Sequence, residues 1–118
     1  MPAALVAFET GMKAIIGRMD AIVPVGGRPT IAAELHGVLK CAAIAHGEWV
    51  GIHPFANGCG RVARLWTNWV GVRYGLPFFL TLKPRPTNLV YANAARESMR
   101  GNHQPMVTAL LTLLSQHP

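Results

Sequence analysis

The sequence predicts an all-α fold, a compact bundle of about five to six helices with a short hairpin or turn between the first two. Two observations carry this prediction: apolar residues recur at three- and four-residue spacing, and Gly and Pro clusters separate the periodic segments. A third is composition, since 51% of the 118 residues are hydrophobic and 14% are charged, as in globular rather than disordered proteins. We expect residues 1–118 to form a single domain.

The first predicted helix follows Pro2, and its apolar residues share one face: Leu5, Phe8, Met12, Ile15, Ile16 and Met19. The next stretch, "DAIVPVGGRP", contains two prolines and a Gly-Gly pair and predicts a turn or short hairpin. Thr30 is the predicted N-cap of a second helix, which runs to about Ile52.

A third helix is predicted from the glycine loop at residues 58–60 to Tyr74, because Gly75, Leu76 and Pro77 are typical of a helix stop. Its residues are apolar on most sides, which predicts the central buried helix of the bundle. The segment "LPFFLTLKPRP" should be extended. A fourth helix is predicted over residues 87–100, ending at Gly101, and a fifth begins at Pro105.

The sequence contains no apolar run of about 20 residues and no secretory signal pattern, so we expect a cytoplasmic protein that is not in a membrane. Cys41 and Cys59 are expected to be reduced. The formal charge of +6 is uneven: residues 1–48 carry four basic and four acidic side chains, whereas residues 49–118 carry seven basic ones and Glu97 alone. This excess indicates a phosphate-bearing partner, either a nucleotide or a nucleic acid.

A predicted anion site lies where the third helix begins. Arg61 and Arg64 are three residues apart in its first predicted turn, where the helix dipole already disfavours cations and no acidic residue follows before Glu97. Gly58 and Gly60 allow backbone N–H groups to converge on an anion. A bound phosphate would balance these charges; the alternative is a surface helix start with two solvated arginines.

His53 is the candidate general base. It precedes Pro54, which ends the second helix there and directs the imidazole toward the glycine loop. An unperturbed histidine, with a pKa near 6.5, suits removal of a proton from a hydroxyl. The alternative is an ordinary structural histidine, as we expect for four others that receive no functional assignment: His36, His46, His103 and His117.

Two other kinds of site are disfavoured. Two cysteines and two histidines contain ligand atoms for zinc but lack the close pairs typical of such sites: Cys41, His46, His53 and Cys59. The glycine loop also lacks the GxxxxGK[ST] pattern of a P-loop.

The stretch "HPFANGCGRVAR" resembles the Fic motif, HxFx(D/E)GNGRxxR, and matches its fixed positions at His53, Phe55, Gly58, Gly60, Arg61 and Arg64. Flanking segments resemble one bacterial branch of the Fic family, so the resemblance covers roughly residues 30–105. It implies a helical bundle that transfers AMP from ATP to a Ser, Thr or Tyr hydroxyl of a target protein.

By the same resemblance, His53 would be the general base, Gly58 and Gly60 would form the anion hole, and Arg61 and Arg64 would contact phosphates, with Arg64 on the terminal one. The turn "IVPVGGRP" would be a flap that clamps a target segment.

Two departures from the motif predict reduced activity. Asn57 stands where the family carries the carboxylate that coordinates Mg²⁺, and a neutral amide oxygen is a weaker ligand for this ion. Cys59 replaces an asparagine, and its thiol cannot reproduce the two donors and the acceptor of an amide. Asn57 and Cys59 are still expected among the nucleotide- and phosphate-binding residues, because they occupy motif positions. No residue is assigned as a metal ligand.

Three further expectations concern partners and competing functions. The inhibitory pattern [ST]xxxE[GN] of the family has no clean match here, because Thr30 and Glu34 have its spacing but Leu35 follows Glu34. Inhibition would then come from a separate antitoxin-like partner. A pull-down that recovers no such partner would contradict this. A catalytically impaired module that binds nucleotide or protein is the main alternative function. Nucleic-acid binding through the basic half is less favoured and would be steeply salt-dependent.

Overall fold

The structure is a computed structural model that describes residues 2–52, 59–82 and 89–117. These residues form five α-helices and no strand: α1 (Pro2–Asp20), α2 (Ala32–Ile52), α3 (Cys59–Arg73), α4 (Leu89–Met99) and α5 (Gln104–Ser115). The prediction of an all-α bundle is confirmed. None of the helices in the described part of the chain is long and apolar enough to cross a membrane.

The central helix is α2, so the prediction that α3 would be central is wrong. α2 packs against each of the other four described helices. Its buried positions include small residues that let neighbouring helices approach closely, and a Cβ added to Gly47 would lie 2.0 Å from Ser98 Oγ of α4. On α3, by contrast, Leu65, Trp69 and Val72 are 44–52% exposed. Apolar residues on most sides of a helix therefore did not mean burial on most sides.

The predicted helix ends lie within one residue of the observed ones wherever both are described, and the predicted start of the fourth helix, at residue 87, lies outside the described residues. Gly75 and Gly101 have φ values of 83° and 90°, and the N–H groups that follow α3 and α4 bond back to helical carbonyls as in a Schellman motif. α2 begins at Ala32 rather than directly after Thr30. The carboxylate of Glu34 accepts hydrogen bonds from the Thr30 N–H and hydroxyl, at 2.8 and 3.1 Å, so Thr30 donates here instead of capping.

The connection between α1 and α2 is a turn without strands. The Gly27 N–H donates to the Pro24 carbonyl at 2.9 Å, and Gly26 has a φ of 85°. A positive φ at the third residue of a turn is typical of type II and favours glycine. Of the two structures predicted for "IVPVGGRP", a turn or a short hairpin, the structure therefore supports the turn.

A charged contact joins the ends of α1 and α3. Arg73 donates two hydrogen bonds to the Asp20 carboxylate, at 3.1 and 2.7 Å, and the Tyr74 hydroxyl donates a third at 2.7 Å. Hydrogen bonds from Arg73 and then from Tyr74 lower the pKa of Asp20 below its ordinary 3.8. The two charged side chains are 26% and 31% exposed, so water screens the pair only partly.

We expect Asp20→Asn to destabilise the protein by about 1 kcal/mol at neutral pH. Because the pKa of Asp20 is lowered on folding, its contribution is complete above the unfolded value of 3.8 and is lost as the pH falls through the folded value. Urea unfolding at several pH values should therefore show the variant and the wild type converging in strong acid. Glu9→Gln is the matched control, since Glu9 pairs with Lys13 at the exposed surface. An Asp20→Asn effect that persists unchanged in acid would contradict this assignment.

Candidate anion site at the start of α3

Of the predicted site residues, the structure places four at the start of α3. Cys59 is the first residue of the helix, Gly60 the second, Arg61 the third and Arg64 the sixth. His53, Asn57 and Gly58 lie outside the described residues. The motif thus ends inside α3, and the N-terminus of this helix belongs to the candidate site.

The two arginines differ in their surroundings. Arg61 is exposed, whereas Arg64 is only 5% exposed and lies in the second turn of α3 rather than the first. The sequence-based picture of two arginines in one turn, repelling each other on one face, therefore does not describe their side chains. Water can solvate the charge of Arg61, whereas the buried charge of Arg64 needs partners within the protein.

The buried Arg64 guanidinium is held by a backbone carbonyl. Its Nε and Nη2 groups both donate to the Leu82 carbonyl, at 3.1 and 2.6 Å. Nη1 lies on the side of Gly60, since a Cβ added to Gly60 would be 3.1 Å from it. Glycine at position 60 therefore leaves the space that the guanidinium needs.

No carboxylate neutralises this guanidinium within the described ranges, where the ion pairs involve other residues. A buried charge usually has an opposite charge beside it, because the interior solvates ions poorly. A carbonyl oxygen supplies only a partial negative charge. The arrangement thus has an unbalanced cation near the N-terminus of a helix, where the dipole also favours an anion.

His46 is close enough to Arg64 to respond to its charge. Burial, and to a smaller extent the positive charge of Arg64, lower the pKa of His46 to about 4, so the imidazole is neutral at pH 7. Its Nε2 lies 2.5 Å from the Tyr91 hydroxyl of α4. A neutral imidazole adds no second positive charge beside Arg64.

Sequence reasoning missed three residues around Arg64. His46 received no assignment, although its small neighbours Ala45 and Gly47 are a signal that this part of α2 is buried. Asn68 and Leu82 were also not singled out. Asn68 lies one turn after Arg64, and its amide is bonded to the backbone of Leu80.

The disfavoured zinc site gains no support from the described residues. Cys41 is buried with a free thiol, whose pKa is raised by burial, and His46 is bonded to Tyr91. No group of three or more His, Cys, Asp or Glu side chains in the described residues is arranged to hold a metal ion. The His53 and Cys59 side chains are outside this description.

An apolar cavity of about 710 Å³ lies between α1 and α3, apart from the candidate anion site. Phe8, Trp49, Trp66 and Trp69 form its aromatic part, with rings in edge-to-face or tilted contact. Gly60, Arg61 and Arg64 are not among its lining residues. The two cations that line it, Lys13 and Arg73, are each paired with a carboxylate, of Glu9 and Asp20 respectively.

Comparison with known proteins decides the family. The family model for the Fic/DOC family matches residues 2–70, which include α1, α2 and most of α3. The chain belongs to the Fic/DOC family. The resemblance inferred from the motif is thereby confirmed, although the matched segment begins earlier than the predicted 30–105 range and ends at residue 70.

Curated relatives of this Fic/DOC chain include the protein adenylyltransferase fic-1 of Caenorhabditis briggsae and that of Caenorhabditis elegans. Each is 36% identical over 69 residues, which make up 58% of this chain but only 13% of the relative. The chain thus spans a small part of these relatives' length. No solved structure matches the chain.

We expect inorganic triphosphate to raise the melting temperature of the protein, because a ligand that binds only the folded state stabilises it. Arg64→Gln should abolish most of this ligand-induced shift. Arg18→Gln removes an equal charge from the exposed end of α1 and should preserve the shift. The melting temperatures of the wild type and the two variants are measured by thermal unfolding at increasing concentrations of triphosphate. Equal loss of the shift in both variants would indicate attraction by net charge rather than a site.

Proposed function

We propose that this chain transfers AMP from ATP to a Ser, Thr or Tyr hydroxyl of a target protein and releases pyrophosphate. Membership of the Fic/DOC family and similarity to the protein adenylyltransferase fic-1 of two Caenorhabditis species support this reaction class. The observation that carries the proposal is the guanidinium of Arg64, buried at the motif end of α3 without a carboxylate in the described residues. A polyphosphate is an anion that would balance this charge.

The proposed phosphate-binding roles combine the motif with the positions of Gly60, Arg61 and Arg64 in α3. In the proposed complex, backbone N–H groups of Gly58 and Gly60 face the phosphates at the helix N-terminus. Arg64 uses its Nε and one Nη2 hydrogen on Leu82, so its Nη1 group, on the side of Gly60, is left to contact the terminal phosphate. Arg61 is exposed and would contact the other phosphates from the surface.

The proposed chemical step is a displacement at the α-phosphorus. The target hydroxyl oxygen forms a bond to this phosphorus, the bond from phosphorus to the pyrophosphate oxygen breaks, and His53 accepts the hydroxyl proton. Neutral imidazole is the form able to do this near pH 7. The role of His53 rests on its place in the motif.

Mg²⁺ is part of the proposal only as an ion that accompanies ATP. Asn57 would offer it an amide oxygen in place of a carboxylate, and no step above is assigned to the metal. ATP is abundant in the cytoplasm, which is the location we propose. An antitoxin-like partner that restrains the enzyme is proposed on the absence of a clean inhibitory motif.

Transfer should be visible as label on protein after incubation with ATP labelled at the α-phosphate and a lysate or candidate target. His53→Ala should reduce labelling by about 100-fold or more, the usual contribution of a general base. His36→Ala is the control, because His36 is an exposed histidine of α2. Labelling that is equal in wild type and His53→Ala would contradict the proposed role. ATP binding without any transfer would favour the non-catalytic alternative.

Restoring the family residues at the two departures should raise turnover. We expect Cys59→Asn to increase labelling several-fold, and Asn57→Asp to strengthen its dependence on Mg²⁺, because a carboxylate binds this hard cation better than an amide does. Titration of ATP and Mg²⁺ against initial labelling rate separates the two effects. Unchanged affinity and turnover in Cys59→Asn would mean that Cys59 does not impair the enzyme.

A further inference from the structure

Asn68 of α3 is fully buried and uses both ends of its amide on one residue of another segment. Its Nδ2 donates to the Leu80 carbonyl at 2.7 Å, and the Leu80 N–H donates to its Oδ1 at 3.1 Å. Residues 76–82 are in neither helix nor strand, so their buried backbone groups need partners from elsewhere. Asn68 provides both partners for Leu80.

Arg64 binds the same segment two residues further along. Arg64 and Asn68 are four residues apart and share a face of α3, where four residues advance about 6 Å. The carbonyls that accept from them, of Leu82 and Leu80, are two residues apart, a separation of at most about 7 Å. The two side chains therefore hold one short stretch of backbone at two neighbouring points.

The position of Arg64 depends on this stretch. The Leu82 carbonyl is the acceptor for its guanidinium. On the other side, Nη1 lies so close to Gly60 that an added Cβ would be only 3.1 Å from it, so the guanidinium has little room to move in that direction. A shift of the Leu82 carbonyl would leave a buried guanidinium without its hydrogen bonds, which is unfavourable. The side chain would then follow the carbonyl or turn toward water.

We propose, resting on the function proposed above, that Asn68 is a positioning residue: it fixes the Leu80–Leu82 backbone and thereby aims Arg64 at the terminal phosphate of the nucleotide. Asn68 itself does not contact the substrate. Its loss should change how well the protein distinguishes ATP from AMP, because AMP lacks the phosphate that Arg64 contacts. A role in stability alone would not change this preference.

Calorimetric titration of the whole chain with ATP and with AMP tests the proposal. Asn68→Ala should weaken ATP binding by about tenfold, the value of one hydrogen bond to a charged group, and should leave AMP binding within about twofold. The matched control is Thr67→Val. Thr67 is equally buried, but its hydroxyl donates to the Ala63 carbonyl inside α3 rather than to the backbone of residues 80–82. This control should keep the preference for ATP.

A double-mutant cycle with Arg64→Gln identifies the path of the effect. If Asn68 acts through Arg64, Asn68→Ala should weaken ATP binding no further once Arg64 is replaced. Additive losses, or an Asn68→Ala protein with the ATP preference of Thr67→Val, would overturn the proposal. If Arg64→Gln itself leaves ATP affinity unchanged, the phosphate role of Arg64 fails, and the proposed function is what has to be revised.

Asn68→Asp keeps the test available if Asn68→Ala does not fold. Aspartate has nearly the same shape and still accepts from the Leu80 N–H, but it cannot donate to the Leu80 carbonyl. The same selective loss of ATP affinity is expected. Retention of the wild-type ATP preference in this variant would equally overturn the proposal.

Discussion

A guanidinium that is nearly removed from water must have its hydrogen bonds satisfied, and this requirement organises the start of α3. Arg64 meets it with the Leu82 carbonyl, and Gly60 leaves room for its other side. His46 stays neutral nearby, since burial and the Arg64 charge both oppose its protonation. What these contacts leave unbalanced is the charge itself, and this is why we propose that an anion binds here.

The helix that carries this guanidinium is held in the bundle by α2. α2 packs against all four other described helices, and its small residues bring α4 within hydrogen-bonding distance, as the contact of His46 with Tyr91 shows. At the opposite end of α3, Asp20 ties Arg73 and Tyr74 to α1. Both ends of α3 are thus anchored by polar contacts to other elements, and its N-terminus is presented at a defined place.

Family and geometry support different parts of the functional conclusion. The Fic/DOC match covers residues 2–70 and therefore includes the motif, but it stops before Leu80 and Leu82. The contacts of Arg64 and Asn68 connect the matched part to residues beyond it. Leu82 lies outside the family match, yet its carbonyl holds the arginine of the proposed phosphate contact inside the match. Residues that are distant in sequence are adjacent here in the fold.

The sequence by itself determined the fold class, the helix ends at Gly75 and Gly101, and the family, since these depend on local periodicity, on backbone conformation and on a contiguous motif. Only the tertiary structure decided that α2 rather than α3 is central, that Arg64 is buried while Arg61 is exposed, and that His46 and Asn68 belong to the surroundings of the site. The physical reason is that burial is set by what covers a residue. The partners of Arg64 and Asn68 lie 18 and 12 residues away in the chain, and no local pattern encodes that contact.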